Sequence, residues 1–135
     1  MDFQLKLVKT KSLLPHEEIN PKHFPKLLTE IKRNKFVIPI IVDKKTFVIL
    51  DGHHRFNILK TLKFKFIPVY LVDYFHKNIE VAPRREEYLV TKEKVVDRAL
   101  KGSLYPYKTT KHIIKGLKKE KIPFENKVFD NTCFF

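Results

Sequence analysis

Between Phe36 and Val72 the chain alternates strand-like apolar runs with one helical pattern, and that order limits the folds open to it. "FVIPIIV" (36–42) reads as a buried strand, and Pro39 inside it predicts an edge position or a bulge. "DKKT" turns the chain, and "FVIL" (47–50) pairs back as a hairpin. A helix is expected from about His53 to Leu62, with Phe56, Leu59 and Leu62 facing inward. "FIPVYLV" (66–72) is a third buried strand, and Pro68 again argues for an edge or a strand end. This succession predicts a small α/β (α+β) domain, a mixed β-sheet packed with helices.

The flanks read less firmly. "FQLKLV" (3–8) alternates as an edge or half-buried strand does, and a loop broken by Pro15 and Pro21 follows. A helix should begin near His23 or Phe24 with Pro25 in its first turn, place Phe24, Leu27, Leu28 and Ile31 on one face, and end at Asn34 and Lys35. After Asp73 no firm period survives, and Pro83 interrupts the stretch. "TKEKVVDRALKG" predicts a helix capped by Thr91 and closed by Gly102, with its apolar face between Lys94 and Leu100. "SLYPYKTTKH" (103–112) reads as a polar loop, and a lysine-rich tail ending in "CFF" follows. No repeat or second domain is evident, so residues 1–135 are expected to form one domain.

Composition narrows the class of function. A hydrophobic fraction of 43% excludes a disordered chain. No apolar run approaches the roughly 18 residues that span a bilayer, and "MDFQLKLVKTK" does not read as a signal peptide. The single cysteine, Cys133, supports neither an intramolecular disulfide nor a zinc site, which suggests the cytoplasm. The net charge of +13 suits an anionic partner, or equally a solvated lysine surface, because the lysines are spread along the whole chain.

Three motifs carry chemistry. "DGHHR" (51–55) sits where a strand gives way to a helix. Gly52 allows a tight turn, the helix start attracts anions, His53, His54 and Arg55 add donors, and Asp51 suits a metal ion or a hydroxyl. These are the parts of a phosphate site with a possible magnesium partner. "PHEEI" (15–19) offers a loop carboxylate that could accept a proton from a hydroxyl being phosphorylated, or could be a solvated acidic pair. "KTTKH" (108–112) gathers two hydroxyls, two ammonium groups and an imidazole, suited to a second anion or to an ordinary basic loop.

A strand, "ILDGHHR" and a helix resemble the ParB/sulfiredoxin superfamily. The combination of "LLPHEEI", "PIIVDKKTFVILDGHHR", "IPVYLVDY" and "YPYKTTKH", in that order from about Leu7 to His112, resembles the free L-serine kinases of archaea. Those enzymes form O-phosphoserine for cysteine biosynthesis. The resemblance implies a kinase that uses magnesium and either ATP or ADP, with L-serine as acceptor. It implies Glu17 as general base, with Glu18 as the competing base near the substrate, and Asp51 and His54 beside the reacting groups. Asp51 would position the hydroxyl or the metal. Gly52, His53, His54 and Arg55 would hold the phosphates, Lys108, Thr109, Thr110, Lys111 and His112 the serine end, and Val37, Pro39 and Ile40 would border the adenine. A sulfiredoxin would need a cysteine in the phosphate loop, which has none. The stretch after His112 is short for the helix-turn-helix module of a ParB partition protein. The alternative from another class is a nucleotide-binding regulator, or a ParB-like nucleic-acid-associated protein, without turnover.

Overall fold

The computed structural model describes residues 1–124; Cys133 and the apolar "CFF" end lie outside the described residues. Strand β1 (Gln4–Lys9) leads through a short 3₁₀ turn and a long loop into helix α1 (Phe24–Asn34). Then come β2 (Phe36–Val37), β3 (Ile40–Asp43), β4 (Ile49–Asp51), α2 (His53–Thr61) and β5 (Phe66–Val72). The remainder supplies β6 (Ile79–Pro83), α3 (Lys92–Lys101), β7 (Thr110–Ile114) and β8 (Ile122–Pro123). The main sheet has the order β1-β5-β3-β4, with β3 parallel to β5 and the other pairs antiparallel. Two small antiparallel pairs, β2 with β8 and β6 with β7, complete a mixed α/β architecture.

Side-chain alternation splits the core across the sheet. Ile40, Val42, Ile49, Ile67 and Val69 pack on one face with Phe56 and Leu59 of α2. Ile41, Val48, Leu50 and Val72 pack on the other with Val95 and Ala99 of α3 and with Tyr74 and Tyr105. Both faces are covered, which is why β3 and β5 read as continuous apolar runs.

Several expectations need correction. "FVIPIIV" is two strands, not one. The chain leaves β2 at Ile38 and re-enters the main sheet at Ile40, so Pro39 sits in the break and needs neither an edge nor a bulge. Pro68 lies within an interior strand. Its register partner on one side is Leu7, while β3 begins only opposite Val69, so no ladder partner is waiting for the missing N–H on that side. The aperiodic stretch after Asp73 contains β6, and the expected polar loop runs into β7, the two pairing from Ile79↔Ile114 to Pro83↔Thr110. Leu100 of α3 is 60% exposed and does not belong to that helix's buried face, and Ile58 is a fully buried α2 residue that the inward set omitted.

The helix ends follow local chemistry. Thr91 Oγ1 accepts the Lys94 N–H at 3.1 Å, and Gly102 closes α3 with a left-handed φ of 70°. Lys35 ends α1 in the left-handed region and donates its N–H to the Ile31 carbonyl. The β3–β4 turn is tied by Asp43 Oδ2, which accepts from Thr46 N (3.1 Å) and Oγ1 (2.7 Å). No helix among the described residues is long and apolar enough to cross a membrane.

Candidate active site

Strand β4 ends at Asp51, and Gly52 turns the chain into α2 with φ 103°. A Cβ on Gly52 would stand 2.5 Å from Ile40 Cγ2, so the position requires glycine on both conformational and steric grounds. No side chain caps α2, which leaves its first turn open to an anion. A cleft of about 330 Å³ opens there, lined on the α2 side by Asp51, Gly52, His53, His54 and Arg55. Across it stand Glu17, Lys108, Thr110, Lys111 and His112, with Arg84 beside them. The three motifs, far apart in sequence, thus face one space.

Arg55 is the unsatisfied group. Its Nε and Nη2 are buried and have no hydrogen-bond partner among the described residues, and its nearest carboxylate oxygen, Asp51 Oδ2, is 3.7 Å away. Burial lowers the guanidinium's pKa and the Asp51 charge partly offsets this. Orphaned donors beside an uncapped helix start fit a phosphate group.

His53 and His54 also hold the chain across the cleft. Each accepts a backbone N–H at Nε2: His53 from His16 (3.1 Å) and His54 from Asn20 (2.9 Å). A ring that accepts is neutral, with its hydrogen on Nδ1. Burial, reinforced by neighbouring rings and Arg55, lowers the His53 pKa well below its usual value; burial and His23 lower that of His54. The pair line the cleft, yet their acceptor atoms pin the loop that carries Glu17 onto α2.

That loop is also held from the other side. Glu17 pairs with Tyr105 in an isolated bridge: Glu18 N donates to Tyr105 O (2.8 Å) and Tyr105 N to His16 O (2.9 Å). In this extended backbone adjacent side chains point opposite ways. Glu17 enters the cleft; Glu18, expected beside the substrate, is exposed and lies outside the cleft's lining. Glu17 Oε1 accepts the Lys108 N–H (2.6 Å), and Oε2 accepts from Thr110 N (3.1 Å) and Thr110 Oγ1 (2.7 Å).

Two further placements differ. Val37, Pro39 and Ile40 are buried and absent from the cleft wall; Val37 and Ile40 belong to the core, with Ile40 directly beneath Gly52. Thr109 is fully buried, its hydroxyl donated to Pro106 O at 2.6 Å, because the turn at Lys108 points consecutive side chains apart. His112 does line the cleft, but its Nε2 meets the Tyr74 hydroxyl at 2.8 Å, and burial, with His16 and Lys92 nearby, lowers its pKa to about 3.

Some residues escaped the sequence reading. His23, Leu27, Leu50 and Arg84 line the cleft, and Lys119 reaches Asp51 at 3.7 Å. A second cavity of about 430 Å³ adjoins over α1 and shares His23, Leu27 and His54 with the cleft. Arg84, in "PRREE", and Lys119, in "LKKEK", carried a charge signal, and nothing local tied either to this site. Magnesium finds no protein cage: no cluster of three or more His, Cys, Asp or Glu able to hold a metal occurs among the described residues, and Asp51 is already flanked by two cations.

Comparison with solved structures places the architecture. A conserved hypothetical protein from Pyrococcus furiosus superposes with a TM-score of 0.79 at 14% identity, covering 93% of this chain and 96% of that one. A free serine kinase in complex with AMP superposes with a TM-score of 0.78 at 15% identity, covering 90% and 92%. The chain has the fold of the free serine kinase structure. Within this fold, sequence similarity extends to an ATP-dependent L-serine kinase of Staphylothermus marinus, 38% identical over 82 residues, and a ParB-like protein of Sulfolobus acidocaldarius, 36% identical over 80. Those matches cover 56% and 59% of this chain but only 32% and 40% of the relatives' own lengths. The chain is thus related to the free serine kinases, while ParB-like names occur among its relatives too. No family model matches the sequence.

Proposed function

We propose that residues 1–135 form a single domain that transfers the terminal phosphoryl group of an adenine nucleotide to the hydroxyl of free L-serine, giving O-phosphoserine. One observation carries the reading: a fixed carboxylate, Glu17, faces an arginine with orphaned donors, Arg55, across one cleft. The relatives named as L-serine kinases, and the structural neighbours named in complex with AMP and ADP, support the substrate classes.

In this reading Arg55 and the open first turn of α2 hold the phosphates, with Arg84, Lys108 and Lys111 supplying further positive charge. The nucleoside end lies in the adjoining cavity against His23 and Leu27, in place of the strand residues expected to border it. Each carboxylate oxygen has two lone pairs, and Glu17 Oε1 uses only one, for Lys108 N–H. The other accepts the serine hydroxyl proton as the serine oxygen forms its bond to phosphorus and the bond to the nucleotide breaks. Asp51, on the α2 side of the cleft, is the carboxylate that would hold a magnesium ion, which would supply charge neutralisation for the phosphates. The product would feed cysteine biosynthesis.

A second reading has one observation in its favour. Glu17 accepts three hydrogen bonds, so it could serve as a clamp for the 108–110 turn in a nucleotide-binding regulator. Incubation with L-serine, magnesium and either ATP or ADP, followed by detection of O-phosphoserine, separates the two. Product with one nucleotide establishes the kinase and its donor; nucleotide binding with no product from either supports the regulator.

A further inference from the structure

Behind Glu17, on the side away from the cleft, lies a histidine with no part in the scheme above. His16 is fully buried and does not line the cleft. Its Nδ1 is 2.6 Å from the Ile49 carbonyl oxygen, which can only accept, so Nδ1 carries a hydrogen. Burial lowers the ring's pKa to about 4, against a smaller upward effect of that hydrogen bond, so the ring is neutral near pH 7 and Nε2 is a bare lone pair. That lone pair faces Thr110 Oγ1 at 3.0 Å. Thr110 Oγ1 also faces Glu17 Oε2 at 2.7 Å. One hydroxyl hydrogen therefore has two acceptors, a carboxylate in front and an imidazole behind.

We propose that His16 is a positioning residue that receives the Thr110 hydroxyl hydrogen when Glu17 takes a proton, so that the hydroxyl switches acceptors as Glu17 loses its charge. The inference rests on the reading of Glu17 as the general base. While Glu17 is ionised, its Oε2 is the stronger and nearer acceptor and holds the hydroxyl hydrogen. When the serine O–H bond breaks and its proton bonds to Oε1, Oε2 becomes the carbonyl oxygen of a neutral acid. It keeps the Thr110 N–H, and the neutral imidazole becomes the better acceptor for the hydroxyl. The Thr110 O–H bond rotates and does not break, so no proton beyond the serine proton changes owner. Without His16, discharging Glu17 would weaken a hydrogen bond with nothing in exchange. With it, the bond is handed back 3.0 Å to the ring, and Glu17 becomes an easier proton acceptor.

The test separates ring geometry from acceptor chemistry. His16→Asn keeps a donor near the Nδ1 position for Ile49 and removes the Nε2 acceptor; His16→Gln puts an amide oxygen within reach of Thr110. His16→Asn should lower kcat about tenfold, with serine KM and nucleotide Kd unchanged, and His16→Gln should recover most of the loss. In a Thr110→Val background, His16→Asn should add less than about twofold, since both changes cut the same link. A full kcat in His16→Asn, or losses that multiply, overturns the switch. A readout independent of turnover is the ¹⁵N shift of His16 Nε2, compared between the natural chain and Glu17→Gln, which removes the charge holding the hydroxyl. An upfield move in the variant supports the switch even if no phosphoserine is formed, in which case the kinase reading alone fails. An unchanged shift overturns the switch whether or not the protein is a kinase.

Discussion

On one wall of the cleft Arg55 has two buried nitrogens with no hydrogen-bond partner among the described residues, and the helix beneath it has no side-chain cap. On the opposite wall the Glu17 carboxylate accepts three hydrogen bonds, and His16 and His112 behind it each have a named partner. The first wall is incomplete without an anion; the second is complete as it stands. A buried unsatisfied donor costs free energy in the free protein and returns it when a ligand binds. A fixed acceptor needs no reorganisation when a proton arrives. In the proposed function, this difference would give binding to the α2 wall and proton handling to the Glu17 wall.

The largest effect that could break this division is on turnover. Glu17→Gln should lower kcat about 100-fold or more while nucleotide Kd stays nearly constant, as steady-state kinetics and calorimetry would show. A variant that loses nucleotide affinity instead would move Glu17 to the binding wall. Next in size is acid sensitivity. His16 and His112 are neutral in the fold, with pKa values lowered to about 4 and about 3, but titrate near 6.5 when unfolded. Below pH 6.5 the unfolded chain binds more protons, so the stability these rings contribute is full above 6.5 and is lost as pH falls toward the folded values. Each ring contributes a slope of about 1.4 kcal/mol per pH unit. Urea unfolding between about pH 7 and 5 should show it, and His16→Asn should flatten it; a flat natural profile would mean the Glu17 wall is not held by neutral rings.

On the α2 wall, Arg55→Met should weaken nucleotide binding about tenfold to 100-fold, while thermal stability holds or rises because a buried, poorly paired charge is gone. Unchanged affinity would remove the phosphates from Arg55. Smallest, and aimed at the seam between the walls, are the two loop-pinning rings. His53→Phe should cost about 1–3 kcal/mol by stranding the His16 N–H, and His54→Phe less, because its site is nearer to solvent. Equal, negligible losses in chemical denaturation would mean that the rings do not pin the loop.

Legibility in the sequence followed the same division. "DGHHR" is contiguous, so its strand end, glycine turn and helix start could be read from neighbours alone, and Arg55 stands where the motif placed it. The Glu17 wall joins positions 17 and 110, and no local pattern orients a carboxylate across such a separation. The two prolines misled for a related reason. Pro39 suggests an edge or a bulge and Pro68 an edge or a strand end, but whether a missing N–H matters depends on where the neighbouring strand begins.

By itself the sequence determined the elements. Apolar alternation made β1, continuous apolar runs made β3, β4 and β5, helical spacing made α1 and, with the Thr91 cap, α3, and Gly52 made the turn on which the cleft opens. Only the tertiary structure decided what the polar residues do. It turned Glu17 in and Glu18 out, buried Thr109, drew Arg84 to the cleft, and tied the Nε2 atoms of His53 and His54 to the loop that carries Glu17. The physical reason is that secondary structure depends on neighbours in sequence. The charge, tautomer and hydrogen-bond direction of a buried side chain depend on which distant groups fill its surroundings.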